Sequence, residues 1–201
     1  MLTLTDIKRA LRTPAAEQDM GDHRIGRNGT KIDAMDTPTP AGVLVPLVER
    51  RGGLNVVLTK RSSALKRHAG QVSFPGGRRD PEDPDLTATA LREAEEEIGL
   101  PRHDVSVLGP LPLYRTGTGF QITPVVGVIP TTFSPVPETG EVEEVFEVGL
   151  DILMDPANHS LESAVWNGRK RDYYVLPHDR HTIWGATAGI LVGLSQRIWL
   201  R

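Results

Sequence analysis

One helix, with its start and stop written beside it, constrains this chain more than any other feature. The stretch "DPDLTATALREAEEEIG" runs from Asp83 to Gly99. Asp83-Pro84 supplies an N-cap and a first helical proline, and Gly99 a C-terminal stop. At about 100° per residue, Thr87, Ala90, Leu91, Ala94 and Ile98 gather on one side and form a core-facing stripe. Glu93, Glu96 and Glu97 stand at i, i+3 and i+4 and share another face, while Glu95 points into solvent. The turn Phe74-Pro75-Gly76-Gly77 stands just ahead, and its glycines let backbone groups come close to a ligand.

The segments around this helix read mostly as strands. Ala41–Arg50 and Leu54–Arg61 flank a Gly52-Gly53 turn, and Val105–Tyr114, Phe120–Pro130 and Arg171–Leu176 are further candidates. Glu141–Leu150 is compatible with a strand or a short helix. A closing helix is expected from about Ile183, where Gly185, Gly189 and Gly193 recur every fourth residue and predict close packing on the sheet. Residues 1–13 predict an amphipathic helix through Leu4, Ile7, Ala10 and Leu11, capped by Thr5 or Asp6. Residues 14–40 are polar and rich in Gly, Pro and Asp, as expected of an arm over the domain. The expected organisation is an N-terminal helix and arm over 1–40 and one domain over 41–201, with a mixed sheet and a few helices.

Three carboxylates on one helical face repel each other. A solvated surface can carry such a run, but the glycine turn favours a hard divalent cation, which takes carboxylate and carbonyl oxygens. With no cysteine in 201 residues, disulfides, thiolate nucleophiles and Cys-ligated zinc are excluded. The formal charge of −3 gives no reason to expect a nucleic-acid surface. The longest apolar stretch, Ile183–Leu194, is too short to span a bilayer, and the first residues lack a signal-peptide core. A cytoplasmic protein with a small-molecule substrate is expected. Oligomeric state stays open, a homodimer being one option.

The pattern Arg92-Glu93-Ala94-Glu95-Glu96-Glu97-Ile98-Gly99-Leu100, after Gly76-Gly77, resembles the second half of the Nudix hydrolase box. The first half departs from it. Five residues separate Gly77 from Asp83, which stands where the box has Glu, and eight residues rather than seven separate Asp83 from Arg92. Upstream, "LTKRSSALKRHAGQVSFPGG" (Leu58 to Gly77) resembles the signature of the coenzyme A pyrophosphatase branch, and similar segments continue to about Leu194.

The resemblance implies an α/β/α sandwich around a mixed sheet. It implies that Glu93, Glu96 and Glu97, with the Gly77 carbonyl, bind Mg²⁺ or Mn²⁺, and that Arg92 orients the site by pairing with a neighbouring carboxylate. It also implies a catalytic base outside the box. Among Glu138, Glu141, Glu143 and Glu144, Glu141 matches that place, with Val142, Val145 and Phe146 anchoring the segment. The implied reaction splits coenzyme A, and its thioesters, into 3′,5′-ADP and 4′-phosphopantetheine. Lys60, Arg61, Lys66, Arg67 and Phe74 are then the substrate-binding residues. His68 is expected to be structural or to hydrogen-bond a phosphate, and Trp184 and Phe120 to sit in the core, with a pocket for adenine or pantetheine as the alternative. A Nudix hydrolase of ADP-ribose, a nucleotide sugar or a dinucleotide is one rival. A Nudix-like module that binds coenzyme A without cutting it is another.

Overall fold

The computed structural model describes residues 1–12, 20–26, 38–166 and 168–199. Among these residues four α-helices form: α1 (Leu4–Arg12), α2 (Leu86–Ile98), α3 (Leu150–Met154) and α4 (Gly185–Trp199). The strands ahead of α2 are β1 (Met20–Gly21), β2 (Thr39–Arg50), β3 (Gly53–Arg61), β4 (Val72–Ser73) and β5 (Gly76–Arg78). Those after it are β6 (Ser106–Pro110), β7 (Tyr114–Arg115), β8 (Phe120–Val128), β9 (Val142–Gly149), β10 (Ser160–Trp166), β11 (Arg169–His178) and β12 (His181–Trp184).

β2 organises the large mixed sheet. It runs parallel to β8 and antiparallel to β3 and β5. β9 flanks β3, and β6 and β7 flank β8. A parallel pair needs a crossover long enough to return the chain, and α2 lies within it. Period-two alternation divides neighbouring residues between two cores. Leu44, Val57 and Val125 pack with Ala90, Ala94 and Ile98 of α2. Val45, Val56 and Val126 face the opposite cluster, which holds Ile7 of α1, Leu150 and Leu153 of α3, and Ile190, Leu191 and Leu194 of α4. The result is the α/β/α sandwich expected from the resemblance. β10, β11 and β12 form a separate three-stranded antiparallel sheet. Among the described residues no helix is long and apolar enough to cross a membrane.

Several boundaries differ from expectation. Asp85, not Asp83, caps α2, accepting the Ala88 N–H, and the helix starts at Leu86. Asp83 is withdrawn from capping because its carboxylate is bound elsewhere. Gly99 ends the helix as expected, in the left-handed region at φ 67; its N–H donates to the Glu95 carbonyl and the Leu100 N–H to the Ala94 carbonyl. Thr3, rather than Thr5 or Asp6, caps α1: its hydroxyl accepts the Asp6 N–H while the Asp6 carboxylate accepts from the Thr3 N–H and hydroxyl. Glu141–Leu150 resolves into a strand. Ile183 and Trp184 belong to β12, so the last helix starts at Gly185. Gly189 and Gly193 do pack closely: a Cβ there would strike Tyr114 and Met20. Of the expected arm, residues 14–19 and 27–37 lie outside the described residues, while Met20–Gly21 pairs in parallel with Tyr114–Arg115.

Candidate active site

β2, β5 and α2 meet with almost nothing between them. A Cβ on Gly42 would collide with the Leu86 carbonyl of α2, and one on Gly77 would stand 2.5 Å from the Glu93 carboxyl carbon. Glycine at these two places brings the turn backbone directly against the carboxylate face of the helix.

The turn is locked by Arg92. Its guanidinium donates to Asp83 at 3.1 and 3.2 Å, and to the Arg78 carbonyl at 3.0 Å. It also reaches Glu93 at 2.8 Å and Glu96 at 3.0 Å. Asp83, 6% exposed, further accepts the Asp80 N–H and the Thr89 hydroxyl. The Arg92 hydrogen bond holds the Asp83 carboxyl down at about 2, against an ordinary 3.8. Arg92 is raised in return, first by the same bond. The one-residue insertion is accommodated here: Asp83 folds back under the helix start, and Arg79 ties the loop by donating to the Asp83 and Pro84 carbonyls.

Glu97 is 4% exposed, and burial pushes its carboxyl up to about 8. Glu93 and Glu141 add to that push, while Arg61 and the Gly76 N–H oppose it. Glu93 is raised as well, first by burial, with Arg92 opposing. The nearest cation to Glu97 is Arg61 at 3.8 Å, and the Arg61 Nε is buried without a partner. Glu96 differs from its neighbours: its side chain is 56% exposed and turned to Arg92. Glu95 pairs with Arg102 at 2.6 Å on the other side, as its place on the helix predicted.

Among the described residues no three acidic, His or Cys side chains converge closely enough to hold an ion. The donor set nonetheless suits a hard divalent cation. Two half-buried to buried carboxylates repel each other beside a glycine turn, with Arg61 as the nearest answer to Glu97. Gly77, Glu93 and Glu97 are together, whereas the Glu96 carboxylate is held on Arg92.

The acidic residues after Pro137 sort themselves by partner. Glu143 accepts from Lys60 at 2.6 Å and from the Ser63 N–H. Glu144 pairs with Arg180, and His181 stands 3.6 Å away. Glu138 accepts the Glu141 N–H on its own carboxylate. Glu141 remains, close enough to raise both Glu93 and Glu97 electrostatically. Its backbone is fixed by the Glu138 carbonyl and the Ser62 N–H. The loop before it is hung from the end of α2: the Val136 N–H donates to the Ile98 carbonyl and the Glu138 N–H to the Glu97 carbonyl. Val142 anchors the segment at 3% exposure, and Phe146 stacks on His181 at 3.9 Å.

The expected substrate residues separate. Arg61 faces the carboxylates. Lys60, next along the strand, is engaged by Glu143 at 2.6 Å. Phe74 is 3% exposed in the core under α4, so its ring packs there rather than meeting a ligand. Lys66, Arg67 and His68 lie exposed on the loop after β3, with His68 hydrogen-bonded to Gln71. Neither aromatic expected in the core belongs to it. Phe120 is half-buried and carries the Arg78 guanidinium 5.3 Å from its ring centre. Trp184 is half-buried and stacks on Trp166. The Arg78–Phe120 pair escaped the sequence analysis because its partners are far apart in the chain.

The NUDIX domain family matches residues 38–176. An uncharacterised Nudix hydrolase, NudL, of Photorhabdus laumondii is 38% identical over 163 residues, 81% of this chain and 87% of that protein. The NudL of Cronobacter sakazakii, also uncharacterised, is 41% identical over 158 residues, 79% of this chain and 82% of its own. Among solved structures, the Nudix hydrolase RenU of M. smegmatis aligns with 57% of this chain and 73% of its own, at 24% identity and a TM-score of 0.49.

Proposed function

The chain belongs to the Nudix hydrolase family, and from that premise we propose that it hydrolyses the diphosphate bond of coenzyme A and of its thioesters, yielding 3′,5′-ADP and 4′-phosphopantetheine. The observation that carries this reading is the segment Leu58–Gly77. It resembles the coenzyme A branch in sequence, and it delivers Arg61, Lys66 and Arg67 on the same connection that ends in the Gly77 turn. Coenzyme A bears a diphosphate and a ribose phosphate, and guanidinium groups suit phosphate oxygens.

The Gly77 carbonyl, Glu93, Glu96 and Glu97 would hold Mg²⁺ or Mn²⁺, Glu96 being the one whose present partner is Arg92. Such an ion supplies charge neutralisation at the diphosphate and a water of lowered pKa. The chain's own residues do the rest. Arg92 holds Asp83 and Glu93 in place and so fixes the turn. Arg61, whose buried Nε has no hydrogen-bond partner and whose guanidinium stands 3.8 Å from Glu97, would meet a phosphate oxygen. Glu141 accepts the proton of the attacking water on its carboxylate oxygen.

Chromatography of products from coenzyme A with Mn²⁺ tests the reading, with dephospho-coenzyme A and ADP-ribose run beside it. Formation of 3′,5′-ADP and 4′-phosphopantetheine is expected. Cleavage of ADP-ribose or a dinucleotide alone would assign another Nudix substrate. Tight coenzyme A binding without turnover would assign a binding module.

A further inference from the structure

The three-stranded sheet has an open edge. β10 is seven residues long and, among the described residues, pairs with β11 alone. Its register runs without a shift from Ser160–Val175 to Trp166–Arg169. Leu161 is 54% exposed and Val165 71%. Edges that stay solitary are commonly blunted by Lys, Pro or a bulge. β10 has none of these, and Glu162 is its one charged residue.

Backbone alternation decides which groups face outward. Trp166–Arg169 closes the hairpin across two residues, the arrangement in which that pair is hydrogen-bonded. Trp166, Ala164, Glu162 and Ser160 therefore turn their backbone groups to β11. Those of Leu161, Ser163 and Val165 turn to the open edge.

We propose that this edge pairs with the same edge of a second copy of the chain, antiparallel about a two-fold axis through Ser163, so that two three-stranded sheets become one of six strands. The strand is self-complementary in that register, as a two-fold interface requires. Leu161 lies opposite Val165 of the second copy, and Val165 opposite its Leu161, which gives two apolar cross-strand pairs on one face. Ser163 meets Ser163. Glu162 lies opposite Ala164 rather than another Glu. A shift of two residues either way would set Ser163 against Leu161 or Val165 and lose a pair.

Charge points the same way. Ala164 is the register partner of Arg171 on β11. Arg171 is half-buried, and its Nε is buried without a hydrogen-bond partner. The short Ala164 side chain leaves the Glu162 carboxylate a clear line to Arg171 of the second copy, and symmetry makes this contact twice. Glu162 now takes only a long hydrogen bond from Tyr173, at 3.3 Å. The same face is stiffened by Tyr173 set edge-on to Trp166 at 5.9 Å and to Trp184 at 5.8 Å, which presents the edge ready-formed.

The absence of cysteine makes the register directly testable. Opposed Cα atoms in a hydrogen-bonded antiparallel pair stand about 5.5 Å apart, within the roughly 4.4–6.8 Å that a disulfide spans. The full chain should sediment as a dimer at micromolar concentration. Oxidised Ser163→Cys should run as a covalent dimer without reductant. Ser160→Cys should not, since the register sets it opposite Trp166. Val165→Lys should sediment as a monomer. A wild-type monomer at every concentration overturns the proposal. So does a dimer that survives Val165→Lys, or one that cross-links equally from Ser160→Cys. Should Val165→Lys fail to fold by circular dichroism, the two cysteine variants, which keep Leu161 and Val165, decide alone.

Discussion

A carboxylate as buried as that of Glu97 is costly unless something answers its charge, and its neighbours Glu93 and Glu141 make matters worse. The proposed role explains why the chain keeps it. Glu93→Gln and Glu97→Gln should each lower turnover of coenzyme A by about two orders of magnitude or more. Both should also remove the rise in melting temperature that Mn²⁺ gives the wild type, while Glu95→Gln changes neither. Equal damage at Glu95 would refute the helical-face argument. Glu141→Gln should lower kcat by roughly 10²- to 10⁴-fold with little change in KM; steady-state kinetics at saturating Mn²⁺ measures this, and wild-type kcat would return the base to the box. Asp83 makes a different prediction. Its folded pKa of about 2 lies below the ordinary 3.8, so its contribution is present above 3.8 and is lost as pH falls towards 2. Asp83→Asn should cost roughly 1–2 kcal/mol at neutral pH, allowing for solvent screening at exposed Asp80. Urea titrations should show the gap from wild type closing between those two pH values. The glutamate face was legible because helical spacing alone fixes it. The resemblance gave Arg92 a neighbouring carboxylate as partner without naming it; that the partner is Asp83 was not legible, because the non-helical approach before Leu86 follows no periodicity.

At the scale of elements, α2 was readable in its stripe and its stop but not in its first residue. The sequence pattern assigned the cap to Asp83, but Arg92 draws that carboxylate away and Asp85 takes its place. β9 was undecided because its alternation is blurred by glutamates that answer to different partners: Lys60, Arg180 and Arg50. β10 left no clear signal, since four of its seven residues are small or polar and none is buried, so no alternation marks it. A tight joint between elements, set against backbone, is Gly42 beneath α2. Gly42→Ala should force the helix off β2 against a backbone carbonyl that cannot step aside, at a cost of about 1–3 kcal/mol. Because the glutamates ride on that helix, kcat should fall together with the urea midpoint. Loss of stability with full activity would mean that the turn, and not the helix, sets the glutamate positions.

For the whole molecule, the layering followed from short apolar runs separated by glycine turns, which assign strands, and from one helix in the crossover. What no local pattern could supply was the pairing of distant strands, such as Thr39–Leu47 beside Phe120–Val128. Nor could it supply the partners of Lys60 and Arg61, Glu143 for one and Glu97 for the other, which the long-range packing decides. The hanging of the 136–138 loop from the end of α2 has a consequence for variation. Val136 is held by its own N–H and is 70% exposed, so its side chain is anonymous to the rest of the protein. A saturation library at this position should be nearly flat in activity, with proline the lone casualty because it lacks the N–H. A chain built this way can drift in spelling along the loop while its grammar, the placement of Glu141, stays the same.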